Sequence, residues 1–298
     1  MIVYIATFGR SGSTFFRIVL NRVFGVPSYA GLASSEDLTT IGAEEISGYK
    51  PFSDLVPRWD SQQSLREKLN KLDQEEQIYF IKTHSPNPIS SSSNMFSVHS
   101  VDNEDQDNFR TIVIVRDGRD TLISFANYFI NLKFTWKTWF SFSGNYPHRI
   151  ADDQKALPQL MLEWHSFLLS MSNSLFKLLG MKKYLYQSLL KGLIKDQKWD
   201  QYHRRILARQ GPTTIVHYDQ LIADPVNTVN QAMIELGITM PSGNTNTLPT
   251  FAELNQLFPE FFNSGKTGRW RKEMPENMQH LFWQTHGETM QQLGYSEA

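Results

Sequence analysis

Two hydrophobic patterns alternate along the chain: short β-branched runs, and longer stretches in which apolar residues recur every three or four positions. Ile2–Thr7 (IVYIAT) is a run too short for a helix and suits a strand buried on both faces. Phe8–Ser13 (FGRSGS) is a glycine-containing turn. From Thr14 onward, Phe15, Ile18, Val19, Arg22 and Val23 keep helical spacing until Gly25 and Pro27 stop it. Gln77–Thr83, Thr111–Val115 and Thr213–His217 read as further strands. Gly118–Tyr128, Leu221–Leu236 and Glu276–Gln292 read as helices. Strands separated by helical stretches predict an α/β fold, a doubly wound and mostly parallel sheet that begins with a strand–loop–helix unit.

Two segments break this rhythm. Ser85–Asn108 carries the serine run Ser90–Ser93, then Asp102, Glu104, Asp105 and Asp107 with no Lys or Arg, the composition of a solvated loop. Thr135–Gln210 is helical in character and holds Trp136, Trp139, Phe140, Trp164 and Trp199, which predicts a helical cap on the sheet. No repeat and no linker is visible, so residues 1–298 read as a single domain with that cap as an insertion.

Composition narrows the classes. Apolar residues make up 40% and charged residues 20% of 298, enough for a sizeable core. A net charge of −1 argues against a nucleic-acid or anionic-membrane binder acting through bulk charge, so any affinity for an anion must be local. The absence of cysteine excludes disulfides, thiolate catalysis and Cys-ligated metal. The N-terminus lacks the marks of a signal peptide, and no run approaches the ~18 apolar residues of a membrane span. The expectation is a soluble, unprocessed, cytoplasmic chain.

Three strand ends carry candidate chemistry. In Phe8–Phe15 (FGRSGSTF) the glycines allow a tight turn whose amides can converge on an anion, at the positive end of the following helix. Arg10 adds charge in a fork shaped for phosphate or sulfate. The same residues would equally make a plain turn before an amphipathic helix. A nucleoside-triphosphate P-loop is not present, because Gly9 and Gly12 are too close and no lysine follows. A donor needing no bridging metal fits better, and no metal site is expected. The second strand ends in Lys82-Thr83-His84, which places Lys82 and His84 on one face near its carboxyl end, where open α/β sheets bind ligands. A base and a charge stabiliser suit that pair, although a surface or core histidine would look the same. The third strand runs into Arg116, with Ser124 eight residues on. Arg116 could meet an anion, or Asp117 and Asp120 could simply pair with Arg116 and Arg119.

Together these segments resemble the PAPS-dependent sulfotransferase family, which uses 3′-phosphoadenosine 5′-phosphosulfate as donor. Phe8–Phe15 is similar to its 5′-phosphosulfate loop, Lys82-Thr83-His84 to its Lys-Thr-His segment, and Arg116 with Ser124 to its 3′-phosphate motif. His217-Tyr218-Asp219 resembles the segment whose tyrosine lies near the adenine, and Asn263–Trp270 (NSGKTGRW) a late glycine loop. The resemblance implies that Arg10, Ser11, Gly12, Ser13 and Thr14 hold the 5′-phosphosulfate. It implies that Phe15 stacks on adenine with Phe251 on the other face, and that Tyr218 lies beside it. Arg116 and Ser124 would hold the 3′-phosphate, His84 would be the general base, and Lys82 would assist at the transferring group.

Departures are visible too. Arg10 stands where many members have lysine, and an arginine stabilises charge without acting as an acid. Asn263 and Ser264 replace an Arg-Lys pair beside Gly265, so Lys266 or Arg269 would supply that charge. Glu36 or Asp37 is a second candidate base. The implied product is 3′,5′-adenosine bisphosphate. The acceptor is a small-molecule or carrier-bound hydroxyl, with Phe125–Tyr146 either lining its pocket or filling the cap's core. A nucleotide or small-molecule kinase and a non-catalytic adenine-nucleotide-binding module are the competing functions.

Overall fold

The computed structural model describes residues 1–30, 44–56, 62–84, 109–131, 182–241, 247–259, 262 and 265–298. Its centre is a six-stranded sheet in which every neighbouring pair is parallel. The strands are β1 (Ile2–Thr7), β2 (Ser28–Ala30), β3 (Tyr49–Lys50), β4 (Tyr79–Thr83), β5 (Arg110–Val115) and β6 (Thr213–His217), in spatial order β3-β2-β4-β1-β5-β6. The expected α/β, doubly wound, mostly parallel sheet is therefore the architecture observed.

Alternation along the strands explains why the sheet is covered on both sides. On one face Val3 and Ile5 of β1, Phe80 of β4 and Ile112 and Ile114 of β5 pack with Phe15, Phe16, Ile18, Val19 and Leu20 of helix Ser13–Phe24, and with Val229 and Met233. On the other, Ala6, Val113 and Val115 meet Trp199, Tyr202, Ile206, Phe282 and Met290. All six residues of β1 are buried, as its unbroken apolar run predicts. Burying a side chain of this size contributes roughly 1.5–3 kcal/mol, so the central strands are anchored mainly by the hydrophobic effect.

Helix Ser13–Phe24 ends where expected. Gly25 takes a left-handed φ of 66° and donates its N–H to the Asn21 carbonyl, while the Val26 N–H reaches that of Leu20. The stretch expected as one helix over Leu221–Leu236 is two, Tyr218–Ala223 and Pro225–Glu235. Pro225 disfavours helical geometry at Asp224, which instead caps the second helix by accepting a hydrogen bond from the Asn227 amide at 3.3 Å. Of the expected cap, Lys182–Lys195 and Lys198–Leu207 are helices, the second laying Trp199, Tyr202 and Ile206 on the sheet. Residues 132–181, and the expected loop Ser85–Asn108, lie outside the described residues.

The winding of the sheet positions the site. The chain moves outward from β1 through β2 and β3, returns to β4 beside β1, then crosses to β5 on the other side. Loops at the carboxyl ends of β1 and β5 diverge at such a reversal and leave a crevice between them.

Candidate active site

At the end of β1 the backbone turns through two left-handed residues, Arg10 at φ 66° and Gly12 at φ 107°. Gly12 is required twice over. Its φ is unfavourable for any side chain, and a Cβ there would lie 2.5 Å from the Tyr218 ring. For a non-glycine residue such as Arg10 the left-handed region costs roughly 1–2 kcal/mol. Strain of this kind persists where surrounding contacts hold it. Gly12 also precedes helix Ser13–Phe24, whose N-terminus has no side-chain cap and no acidic residue in its first turn. The positive end of the helix thus faces the loop uncompensated.

Four segments meet there. The Arg10 Nε donates to Ser124 Oγ at 3.3 Å, linking the loop after β1 to the helix after β5. Arg116, at the end of β5, donates from Nη1 to the Arg10 carbonyl at 3.3 Å and from Nη2 to the Lys266 carbonyl at 3.2 Å. Its guanidinium lies 4.5 Å over the Tyr218 ring, the same ring that packs on Gly12. Arg10, Gly12, Arg116, Ser124, Tyr218 and Lys266 are thereby brought into one cluster. Ser264, Glu36 and Asp37 lie outside the described residues.

Two polar atoms here, Ser11 Oγ and Arg116 Nε, are buried with no hydrogen-bond partner among the described residues. An unsatisfied buried polar group costs about 1–3 kcal/mol, and an anion set into the loop would relieve it. The charged-turn pairs are present as well, Asp117 with Arg119 and Asp120 with Arg116. Arg119 grips Asp117 at 2.8 Å, stacks 3.5 Å over Trp270, and donates to the carbonyls of Ser296 and Glu297. Arg116 itself faces Asp120 Oδ2 at 4.0 Å.

His84 stands at the end of β4. Its Nδ1 lies 2.9 Å from the Thr7 carbonyl, which can only accept, so Nδ1 carries the proton and Nε2 keeps a lone pair. Burial pushes the imidazole pKa down to about 3; the charge of Lys82 adds to this, the Thr7 carbonyl opposes it, and Arg17 adds a smaller push. The ring is therefore neutral at pH 7. Lys82 is buried in the adjacent strand position but one, on the face that Phe80 shares with helix Ser13–Phe24.

Phe15 and Phe251 are brought together, with ring centroids 4.7 Å apart. Two faces each at about 3.5 Å from a planar ligand need about 7 Å between rings, so a base slips between them only if Phe251 moves. Gly265, at φ 62°, lets the late loop cross that ring, since a Cβ there would sit 2.5 Å from it.

Two further residues escape a reading of the sequence alone. Asp120 accepts hydrogen bonds from the amides of Gly268 at 2.7 Å and Trp270 at 2.9 Å, fastening the late loop beside Arg116. Arg17, at 0% exposure, is the fully buried arginine of helix Ser13–Phe24. Its only sequence signal is a charge set between Phe16 and Ile18 on a face that must be buried. Among the described residues no group of three or more His, Asp or Glu could hold a metal ion, and no helix is long and apolar enough to cross a membrane.

A family model described as the sulfotransferase domain matches residues 2–294. No curated protein sequence matches the chain. Among solved structures it is similar to mouse sulfotransferase SULT7A1 complexed with PAP, at 14% identity over 97% of this chain and 84% of that one, with a TM-score of 0.43. It is also similar to retinol dehydratase, in complexes with androsterone and the inactive cofactor PAP and with retinol and PAP. Identity is 15% in both cases, over 97% of this chain and 80% and 81% of those, with TM-scores of 0.41 and 0.40.

Proposed function

The chain belongs to the sulfotransferase domain family, and from that premise we propose that it transfers a sulfuryl group from PAPS to a hydroxyl acceptor, releasing 3′,5′-adenosine bisphosphate. The observation that carries this reading is the meeting of Arg10, Ser124 and Arg116 around the Gly12 turn, with a neutral histidine held on the Thr7 carbonyl at the end of the same strand. When bound, PAPS supplies an activated sulfuryl group on a phosphate leaving group.

The residues divide the work. Ser11, Gly12, Ser13 and Thr14 offer amides and hydroxyls to the 5′-phosphosulfate, with the helix N-terminus behind them. Arg10 balances negative charge on the departing phosphate and, as an arginine, keeps its proton throughout. Arg116 and Ser124 hold the 3′-phosphate, while Phe15, Phe251 and Tyr218 take the adenine. Lys266 and Gly265 close the late loop over the donor. His84 accepts the acceptor's hydroxyl proton at Nε2, and Lys82 stabilises charge on the transferring group. Little covalent work falls to the protein, so positioning and electrostatics dominate the rate.

The test is a screen of phenols, alcohols, sugars and carrier-bound hydroxyls, scored by bisphosphate release from PAPS. Calorimetry with 3′,5′-adenosine bisphosphate accompanies it. Arg116→Ala removes charge-assisted bonds and is expected to weaken the bisphosphate about ten- to a hundredfold. Unchanged affinity would take the 3′-phosphate away from Arg116, and tight bisphosphate binding without turnover on any acceptor would favour a binding module over an enzyme.

A further inference from the structure

Among the described residues, no carboxylate balances the charge of Arg17. It is wholly buried, yet only its Nε is engaged, donating to Ser28 Oγ at 2.6 Å. Among the described residues its Nη1 and Nη2 have no hydrogen-bond partner, and the guanidinium rests 5.0 Å over the ring of Tyr49. Burial pulls its pKa down to about 10, opposed only by Tyr49 and by no carboxylate. A buried guanidinium without a counter-anion is among the most costly arrangements a fold can retain, which makes it a residue kept for a ligand.

Its place in the sheet says which ligand. Arg10, Arg116, Ser124 and Tyr218 gather over β1, β5 and β6. Arg17 reaches the opposite way, to Ser28 of β2 and Tyr49 of β3. His84, at the end of β4, stands between the two groups in the strand order β3-β2-β4-β1-β5-β6. An in-line transfer brings the acceptor to the sulfur from the side opposite the leaving phosphate. The β2–β3 side of His84 is therefore the acceptor side, and the charge of Arg17 reaches the imidazole there.

We propose that Arg17 forms an anion subsite in the acceptor site, and that the natural acceptor carries a carboxylate or another oxyanion near its reacting hydroxyl. This rests on the donor reading above, because that reading fixes which side of His84 is left for the acceptor. The fork of Nη1 and Nη2 takes two oxygens of one acidic group, and Ser28 and Tyr49 hold it in place from below.

The test compares acid and amide forms of the same hydroxyl compounds, 4-hydroxyphenylacetate with 4-hydroxyphenylacetamide and glucuronate with glucuronamide. Each is titrated by calorimetry into the protein, free and saturated with 3′,5′-adenosine bisphosphate. In at least one pair the acid is expected to bind ten times more tightly than the amide. Arg17→Met is expected to abolish that difference while leaving bisphosphate affinity within twofold, and Arg17→Lys to restore part of it. Melting curves identify a variant that fails to fold, in which case Arg17→Lys carries the comparison. No acid preference in either pair, or a preference that survives both substitutions, overturns the proposal. Failure of the bisphosphate to bind would instead end the donor reading, and the titrations into free protein would still decide the anion subsite.

Discussion

At the scale of single residues, His84 is the sharpest point of the proposed mechanism. Its Nδ1 is committed to the Thr7 carbonyl, so the chain fixes the tautomer before any acceptor arrives. His84→Ala is expected to lower kcat by about 10²–10⁴-fold with bisphosphate affinity unchanged, because only the base is lost. Turnover like that of the wild type would remove it from the reaction. The pH profile gives an independent reading. With the pKa pushed down to about 3, the imidazole of the free enzyme gains no proton between pH 8 and 5. The kcat/KM profile for the donor should therefore show no acid limb near 6.5, and a fall centred there would contradict the environment described. His84 was legible in the sequence because Lys82-Thr83-His84 closes an apolar run and period two puts both side chains on one face. Arg17 was not, because a lone arginine in a helical pattern gives no sign of whether its head reaches water, and burial of the head is the whole of its significance.

At the scale of elements, residues Gly268 and Trp270 of the late loop are fastened beside Arg116. The two carboxylate oxygens of Asp120 accept from Gly268 and Trp270, and the same carboxylate faces Arg116 at 4.0 Å. Asp120→Asn leaves one oxygen and one N–H donor where two acceptors are needed. The expected result is a bisphosphate affinity lower by about tenfold, in line with the loss of a bond to a charged group. A melting temperature that falls while affinity stays constant would make Asp120 a purely structural latch. A second consequence follows at Phe251, whose helix starts with a capping box in which Thr250 and Glu253 exchange hydrogen bonds. Because the Phe15 and Phe251 ring centroids are 4.7 Å apart, the proposed adenine site between them requires that they part. A fluorinated phenylalanine at 251 should show a changed ¹⁹F shift on adding bisphosphate, and an unmoved signal would place the adenine elsewhere. The sequence could announce β1, β4, β5 and β6 because each is a run of five or six residues with strong apolar character. It could not announce β2 and β3, of three and two residues, which are too short to display a period. The strand order, and with it the two-sided arrangement about His84, therefore emerges only in three dimensions.

At the scale of the whole molecule, charge and burial set the response to acid. His203 and His286 lie in the layer that covers the sheet face of Val113 and Val115, each with 0% exposure. His203 donates from Nδ1 to the Trp199 carbonyl at 2.7 Å, and His286 from Nε2 to the Ile194 carbonyl at 2.9 Å. The second nitrogen of each is buried without a partner, so a second proton would bring an unsolvated charge. Burial accordingly lowers both pKa values, that of His203 to about 4. Between that value and the ordinary 6.5 the unfolded chain binds more protons than the folded one, so stability rises with pH across this window and is lost as pH falls through it. For His203 alone the loss from pH 7 to pH 5 is about 2 kcal/mol, with His286 adding in the same direction. The urea midpoint should fall accordingly between those pH values. His203→Phe, which keeps a ring among Phe8, Trp199 and Tyr202, should reduce the fall by about that amount. A midpoint that does not move from pH 7 to 5 would mean that the layer over the sheet opens enough for water to reach both imidazoles.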